Sequence, residues 1–435
     1  MKRLIALTLL VLLSSIGALR AADAFPLKEG DVWVMAGDSI TAQHLHSNYF
    51  EAFCYARYPG LKFSFRNSGV GGDTIPKVLA RFEYDVAAWK PTVVSVELGM
   101  NDQGGFSVPQ FIENMGKLSE KIKGVNARPV MLTSSPINNG DTNEKIGGNK
   151  KLNDFADALK TFAVAGPYPY ADQFHLVIDV WGKNKPREQL ANLKGMIENA
   201  VKDEKLPGAD HLKAFLVELA KDPLPLISMQ GDPVHPGPPG QLIMATALLK
   251  QLNAEGFVSS ATLDATGKVV EAKGCTVENA KAVDGSLTFT RLDTSLPFPI
   301  PDEARAILKL YPTVLELSQY TLKVTGLTAD KYQLKINGTD VAVVAGKDLE
   351  AGVNLTEFAA GPIAAQGKAI LSAVNAKEGA VGNWRGLSRA ASAPDASAEA
   401  KAKVAAQTKV VEENDEKIRA AAKPVALNFE LSPVK

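Results

Sequence analysis

The stretch Val32–Thr41 reads VWVMAGDSIT, an apolar run that leads into Gly-Asp-Ser and continues as Ile-Thr. Consecutive apolar residues of strand-forming type, followed by glycine and aspartate, are typical of a strand that ends in a tight turn. Because polar residues do not alternate with the apolar ones, the pattern predicts a strand that is buried on both faces. Ser39 then stands at the junction between this strand and the next helix.

Four more β-rich runs follow, with helical stretches between them. These runs are Lys62–Phe65, Thr92–Leu98, Pro129–Thr133 and His175–Val180. Strands that alternate with helices predict a parallel sheet covered by helices, so we predict a doubly wound α/β domain over residues 25–255. Ligands of such sheets bind beyond the carboxyl ends of the strands. The residues that follow each run are therefore the candidates for chemistry.

The pattern changes after residue 256 to short strands separated by turns. The pairs Asp284-Gly285 and Asn337-Gly338 are typical of tight hairpins, and we predict a β-rich domain over residues 256–361. Residues 362–435 are rich in alanine and predict helices. The alternating segment Val425–Leu431 predicts a final strand that returns to the β-rich domain.

The composition of the chain disfavours several classes of protein. The chain has 435 residues, with 48 Lys and Arg against 48 Asp and Glu, so its formal net charge is zero. This length predicts two or three domains, and the balanced charge provides no field to attract nucleic acid. Two cysteines, Cys54 and Cys275, are too few for a disulfide framework or a four-cysteine zinc site, and we predict that they are unpaired.

The N-terminus has the pattern of a secretory signal peptide. Lys2 and Arg3 precede the apolar run Leu4–Ile16, and Ala22–Ala24 offers a small-residue cleavage site. The apolar run is shorter than the roughly 20 residues of a membrane-spanning helix, which favours cleavage over an N-terminal anchor. We therefore predict removal of residues 1–24 and export to a bacterial periplasm or the medium, without stable membrane insertion.

Candidate chemical groups follow the first three strands. Ser39, at a strand-to-helix turn, can point its hydroxyl group into the crevice. The glycines of Asn67–Thr74 (NSGVGGDT) let backbone N–H groups approach a phosphate or an oxyanion, but the absence of a following Gly-Lys-Ser/Thr disfavours a nucleotide. The amide of Asn101 is a donor suited to negative charge that develops on oxygen.

A fourth motif, Gly231–Pro236 (GDPVHP), precedes a helical run. Its histidine, His235, can take the proton of a serine, and Asp232 can fix the tautomer of that imidazole. In this order, across Val32–Leu252, the four motifs resemble those of the SGNH or GDSL hydrolase superfamily. Pro233 is a departure, since glycine is often found there, and it stiffens the loop.

The resemblance implies a flavodoxin-like sheet and the chemistry of a serine hydrolase. The family's catalytic positions fall on Ser39, Asp232 and His235. Its oxyanion hole falls on the backbone N–H groups of Ser39 and Gly72 and on the side-chain amide of Asn101. The family needs no metal or other cofactor for this chemistry.

The remaining histidines and one long segment have competing interpretations. His44 and His46 stand two residues apart, but no third ligand has suitable spacing, so we predict surface or pocket-rim positions rather than a metal site. His175 is predicted to be structural and His211 to be exposed. The segment Trp181–Ser228 is predicted to form either a lid or wall of the site or a packing excursion.

The sequence thus predicts an exported carboxylic ester hydrolase that acts on a small-molecule or glycan ester. By analogy with secreted relatives that carry a β-rich domain, short O-acetyl groups on carbohydrates are the preferred substrate. Two alternatives stay open: a lipase or thioesterase of the same fold, and a glycan-binding or envelope module with minor catalysis. The sequence does not determine the oligomeric state.

Overall fold

The computed structural model of the protein describes residues 24–138, 147–203, 205–222, 224–229 and 231–434. The predicted signal peptide falls on residues 1–24, and residues 1–23 lie outside the described residues. Within the described ranges, no helix is both long enough and apolar enough to cross a membrane.

The first sheet is parallel and carries the Gly-Asp-Ser motif at its centre. Its strands are β1 Val32–Gly37, β2 Ser64–Gly69, β3 Val93–Glu97, β4 Arg128–Leu132 and β5 Tyr170–Ala171. They are arranged in the order β2-β1-β3-β4-β5, and each neighbouring pair is parallel. This is the flavodoxin-like doubly wound order, so the predicted fold class is confirmed.

Helices cover both faces of this sheet. They are α1 Ser39–Ala42, α2 His46–Arg57, α3 Ile75–Asp85, α4 Val108–Gly124, α5 Gly147–Ala165, α6 Gln173–Ala200, α7 Ala209–Leu219 and α8 Pro238–Gln251. Trp33 and Met35 of β1 pack into a buried cluster with α2 and α8. Val34 and Ala36 pack into a second cluster with α3 and α4. Alternate residues of β1 are therefore buried on opposite faces of the sheet, as its uninterrupted apolar run predicts.

Two predicted strand positions are wrong. The second strand is Ser64–Gly69 rather than Lys62–Phe65, so Asn67–Gly69 belongs to the strand. The run His175–Val180 lies within helix α6. Around it the buried residues Phe174, Val177, Ile178 and Trp181 have the spacing of one helix face. The actual fifth strand has two residues, which is too short to produce a recognisable pattern.

The next part of the chain is rich in β-structure, as predicted. Its elements are β6 Phe257–Asp264, β7 Val269–Lys273, β8 Cys275–Val283, β9 Ser286–Asp293, α9 Thr313–Glu316, β10 Gln319–Thr325, β11 Lys331–Ile336, β12 Thr339–Ala345, α10 Gly346–Ala351 and β13 Val353–Asn354. The turn pairs Asp284-Gly285 and Asn337-Gly338 join β8 to β9 and β11 to β12. All four turn residues have positive φ, as a type I′ hairpin requires. Cys54, in α2, and Cys275 are free thiols.

The chain ends in a helical hairpin and a last strand: α11 Gly361–Ala391, α12 Ala398–Ala421 and β14 Leu427–Pro433. Strand β14 pairs antiparallel with both β9 and β11. One sheet therefore has the order β12-β11-β14-β9-β8, and the other has the order β13-β10-β6-β7. Helix α11 also packs against α2, α3 and β2 of the first sheet. Trp384 of α11 stacks on Trp89 with ring centroids 3.6 Å apart, so the hairpin shares the core of the parallel sheet.

Candidate active site

Ser39 lies at the carboxyl end of β1, where the strand turns directly into α1. Asp38 caps this short helix, because its Oδ1 accepts a hydrogen bond of 2.9 Å from the backbone N–H of Ile40. Gly37 is required at the turn, since a Cβ atom there would lie 2.0 Å from Oγ1 of Thr41. The local sequence Gly-Asp-Ser therefore produces a tight turn that holds Ser39 at the edge of the sheet.

His235 and Asp232 reach Ser39 from the loop that precedes α8. Nε2 of His235 lies 2.8 Å from Oγ of Ser39, and Nδ1 lies 2.7 Å from Oδ2 of Asp232. The other carboxylate oxygen, Oδ1, accepts the backbone N–H groups of Val234 and His235 at 2.7 and 2.8 Å. The Asp232 side chain is 51% exposed and that of His235 is 25% exposed, so this group opens on the protein surface.

These hydrogen bonds decide which nitrogen of His235 carries its proton. The backbone N–H groups of His235 and Val234, together with the ring, lower the pKa of the Asp232 carboxyl below its ordinary value. An ionised carboxylate can only accept hydrogen bonds, so Nδ1 of His235 is the donor to Asp232. Nε2 is then left as an acceptor for the Ser39 hydroxyl. The arrangement is suited to taking a proton from Ser39.

The predicted oxyanion-hole residues come from the two neighbouring loops. Gly72, between β2 and α3, has a φ of +74°, a conformation that favours glycine. Asn101 follows β3, and its Nδ2 donates to the backbone oxygen of Asp73 at 2.9 Å. The same nitrogen lies 3.4 Å from Oδ2 of Asp38. The Asn101 amide therefore bridges the loop that carries Gly72 and the turn that carries Ser39.

A buried polar network that was not predicted lies behind α1. Oε2 of Glu97, at the end of β3, accepts a hydrogen bond from Oγ1 of Thr41 at 2.7 Å and lies 3.1 Å from Nε2 of His46. Nδ1 of His46 lies 2.9 Å from Oε1 of Gln241, whose Nε2 donates to the backbone oxygen of Pro236 at 3.1 Å. The network thus connects α1 to the residue that follows His235 in the chain. A glutamate inside the apolar run Thr92–Leu98 was the signal that could have revealed it.

The observed position of His46 contradicts the position predicted for it. Its residue exposure is 2%, so the predicted surface or pocket-rim position is wrong. Burial disfavours a charged imidazole, but the adjacent Glu97 and the hydrogen bonds outweigh burial and raise the pKa of His46. Burial, together with the charge of Glu97, raises the pKa of Asp38 to about 8. These shifts favour the protonated imidazole of His46 beside Glu97 and the neutral form of the Asp38 carboxyl group.

Asp102 is a second residue whose role the motif did not indicate. This buried carboxylate accepts the backbone N–H of Ile75 on Oδ1 at 3.0 Å and that of Gly99 on Oδ2 at 3.1 Å. It therefore joins the start of α3 to the loop that follows β3 and carries Asn101. Burial raises the pKa of its carboxyl group.

The other histidines lie outside this group. His44 is partly exposed, and His211 is exposed as predicted. His175 hydrogen-bonds to Asp172 and Asn153 at 2.7 Å each, which is a structural role. In the part of the chain that the structure describes, no group of three or more His, Cys, Asp or Glu side chains is placed to hold a metal ion.

The flavodoxin-like sheet, with its functional loops at the carboxyl edge, is the fold of an SGNH-type hydrolase. Residues 35–243 match the GDSL-like lipase/acylhydrolase family. This part of the chain belongs to that family, and the protein is a hydrolase of this class. No curated protein matches the chain.

Solved structures extend the likeness in fold. BT4096, described as a gut microbial diltiazem-metabolizing enzyme, is 20% identical with a TM-score of 0.71, and the match covers 95% of this chain and 99% of that chain. The fold shared with BT4096 therefore includes the β-rich and helical part that follows the parallel-sheet domain. An acetylxylan esterase from Geobacillus stearothermophilus, Axe2, is 19% identical with a TM-score of 0.38, and the match covers 52% of this chain and 96% of that chain.

Proposed function

We propose that this protein is an exported serine esterase in which Ser39 is the nucleophile, His235 the general acid and base, and Asp232 the carboxylate that orients the imidazole. The observation that carries the proposal is the hydrogen-bonded series of the three side chains, with distances of 2.8 and 2.7 Å. A serine hydroxyl is a weak nucleophile until a base removes its proton, and this series supplies the base and holds its tautomer.

The proposed reaction proceeds through an acyl-enzyme. Oγ of Ser39 attacks the ester carbonyl carbon while its proton passes to Nε2 of His235. The imidazolium, stabilised by Asp232, then donates that proton to the departing alcohol oxygen as the C–O bond breaks. A water molecule repeats the sequence on the acyl-enzyme, which releases the carboxylic acid and restores Ser39.

The negative oxygen of each tetrahedral intermediate is stabilised by the backbone N–H groups of Ser39 and Gly72 and by the amide of Asn101. The 2.9 Å bond from Nδ2 of Asn101 to the backbone oxygen of Asp73 supports this role, because it fixes the amide with one of its two hydrogens before substrate binds. The second hydrogen makes only a long contact of 3.4 Å to Asp38, which the negative oxygen can replace. Donors that are already in place do not have to reorganise during the reaction.

Asn101→Ala is expected to lower kcat for p-nitrophenyl acetate by about a hundred- to a thousandfold, because one oxyanion donor is lost. KM is expected to change little, since that donor acts mainly on the transition state. Steady-state kinetics measure both constants. Gln103→Ala is the matched control, because Gln103 lies in the same loop and its amide donates to the backbone oxygen of Met100. Equal kcat values for the two variants would contradict the role of Asn101.

For the substrate, we propose a short-chain O-acyl ester, with O-acetyl groups on carbohydrates as the preferred class. The half-exposed Asp232 and the partly exposed His235 support an ester group presented on a larger molecule, which can reach these residues without entering a deep channel. A formal net charge of zero suits an uncharged ester that needs no electrostatic steering. The proposed export rests on the order of basic, apolar and small residues in 1–24.

Acetate release from acetylated oligosaccharides and polysaccharides, together with p-nitrophenyl esters of increasing chain length, tests this substrate class. We expect acetate release from at least one glycan and a fall in kcat/KM as the acyl chain lengthens. Ser39→Ala, run beside the wild type, gives the uncatalysed background. Hydrolysis of long acyl esters with no release from any glycan would favour a lipase and overturn the carbohydrate proposal.

A further inference from the structure

The outer edge of the parallel sheet is covered by basic side chains from the C-terminal hairpin. Strand β2 is the edge strand, so alternate backbone oxygens face away from β1 and have no neighbouring strand. The donors to these oxygens are Arg419 Nη2 to Phe63 O at 2.7 Å, Lys377 Nζ to Phe65 O at 3.0 Å, Arg385 Nη2 to Asn67 O at 2.8 Å and Arg385 Nη1 to Gly69 O at 3.1 Å. Helices α11 and α12 thus replace a missing strand along the whole edge.

Arg385 occupies the end of this row that is nearest to Ser39. Its Nε donates to Oδ1 of Asp85 at 2.8 Å. Asp85 is buried, and its Oδ2 also accepts the hydroxyl of Ser68 at 3.0 Å and a hydrogen bond from Arg81. The guanidinium plane is therefore fixed on one side by a buried carboxylate, and its other two nitrogens face the last carbonyls of β2.

The end of β2 is in direct contact with the helix that begins at Ser39. A Cβ atom at Gly69 would lie 2.4 Å from the backbone nitrogen of Ala42 in α1. Asn67 strengthens this contact, because its Nδ2 donates to the backbone oxygen of Thr41 at 2.8 Å and its Oδ1 accepts the N–H of Gly69, also at 2.8 Å. A shift at the end of β2 would therefore be transmitted to α1.

We propose that Arg385 is a positioning residue for the active site, which holds the end of β2 so that Gly72 and Ser39 keep their relative places. Gly72 follows Gly69 by three residues, and Arg385 binds the carbonyl from which that loop departs. The proposal rests on the proposed oxyanion role of Gly72. It assigns a function in catalysis to a residue of the appended hairpin, outside the segment 35–243 that matches the family.

The test compares two arginines that make the same kind of bond to backbone oxygens along this edge. Arg385→Gln removes the guanidinium from the end of β2, and Arg419→Gln removes one from Phe63, the residue that precedes β2. Arg385→Gln is expected to lower kcat for p-nitrophenyl acetate by about 100-fold with KM nearly unchanged, because small misplacements of reacting groups cost rate. Arg419→Gln is expected to keep kcat close to that of the wild type, although both variants lower the thermal midpoint. Arg385→Lys, which keeps a charged donor, is expected to recover part of the lost kcat.

A purely structural role predicts a different result. In that case kcat of Arg385→Gln would equal that of Arg419→Gln, or the two would fall in proportion to their loss of stability, and the proposal would be overturned. If Arg385→Gln does not fold, Arg385→Lys decides the question, since wild-type kcat in that folded variant would also contradict the role of the guanidinium fork. Loss of activity in Ser39→Ala with full kcat in Arg385→Gln would reject this inference and leave the proposed function standing.

Discussion

Ser39→Ala is expected to lower kcat for p-nitrophenyl acetate by about a millionfold, the scale seen when a serine nucleophile of this type is removed. The variant keeps the oxyanion donors and the His235–Asp232 pair, so substrate still binds but no acyl-enzyme can form. Its fold is expected to stay intact, because the Ser39 hydroxyl bonds to the partly exposed His235 and the turn is capped by the Asp38 side chain.

Two measurements separate this expectation from simple loss of structure. The thermal midpoint of Ser39→Ala should match that of the wild type, and a fluorophosphonate should label the wild type on the peptide that contains Ser39 but leave the variant unlabelled. Ser392→Ala, at the exposed end of α11, is a control that should retain full hydrolysis. Wild-type hydrolysis by Ser39→Ala would show that another group is the nucleophile.

Asp232→Asn is expected to lower kcat by about ten-thousandfold, because the asparagine would impose the wrong tautomer on His235. The reason lies in the backbone: Oδ1 of Asp232 accepts the N–H groups of Val234 and His235. An asparagine must turn its carbonyl oxygen toward these two donors, and its NH2 group then faces Nδ1 of His235. Nδ1 becomes an acceptor and Nε2 carries the proton, so the imidazole can no longer take a proton from Ser39.

Comparison with Asp232→Ala tests this explanation. Alanine removes the carboxylate without imposing a tautomer, so its kcat should be at least as high as that of Asp232→Asn. Asp232→Asn should keep the wild-type thermal midpoint, because its carbonyl oxygen still accepts the two backbone N–H groups, whereas Asp232→Ala loses both bonds and should have a somewhat lower midpoint. A kcat for Asp232→Asn near that of the wild type would mean that Asp232 does not orient the base.

The central strands and the hairpins could be predicted because their signals are local. The run that ends at Gly37 encodes a strand buried on both faces, and Asn337-Gly338 encodes a turn with two positive φ values. The order of four short motifs likewise placed Ser39, Asp232 and His235 in one predicted site. The structure brings their side chains within hydrogen-bond distance, while their roles in catalysis stay a prediction.

Other features could not be predicted because their signals depend on distant partners. The run His175–Val180 is apolar in either a strand or a helix, and only its packing distinguishes the two. His46 looked like a surface residue because its partners, Glu97 and Gln241, are 51 and 195 positions away in the sequence.

The sequence by itself thus determined the fold class, the hairpin turns and the motifs that carry the proposed chemistry, since each is encoded in a few neighbouring residues. The tertiary structure decided that the C-terminal hairpin covers the open edge of the parallel sheet. Arg385 and Asn67 are 318 positions apart, and no local pattern predicts that this arginine binds that carbonyl. The physical reason is that unpaired carbonyls of an edge strand accept a donor from any segment that the fold brings to them.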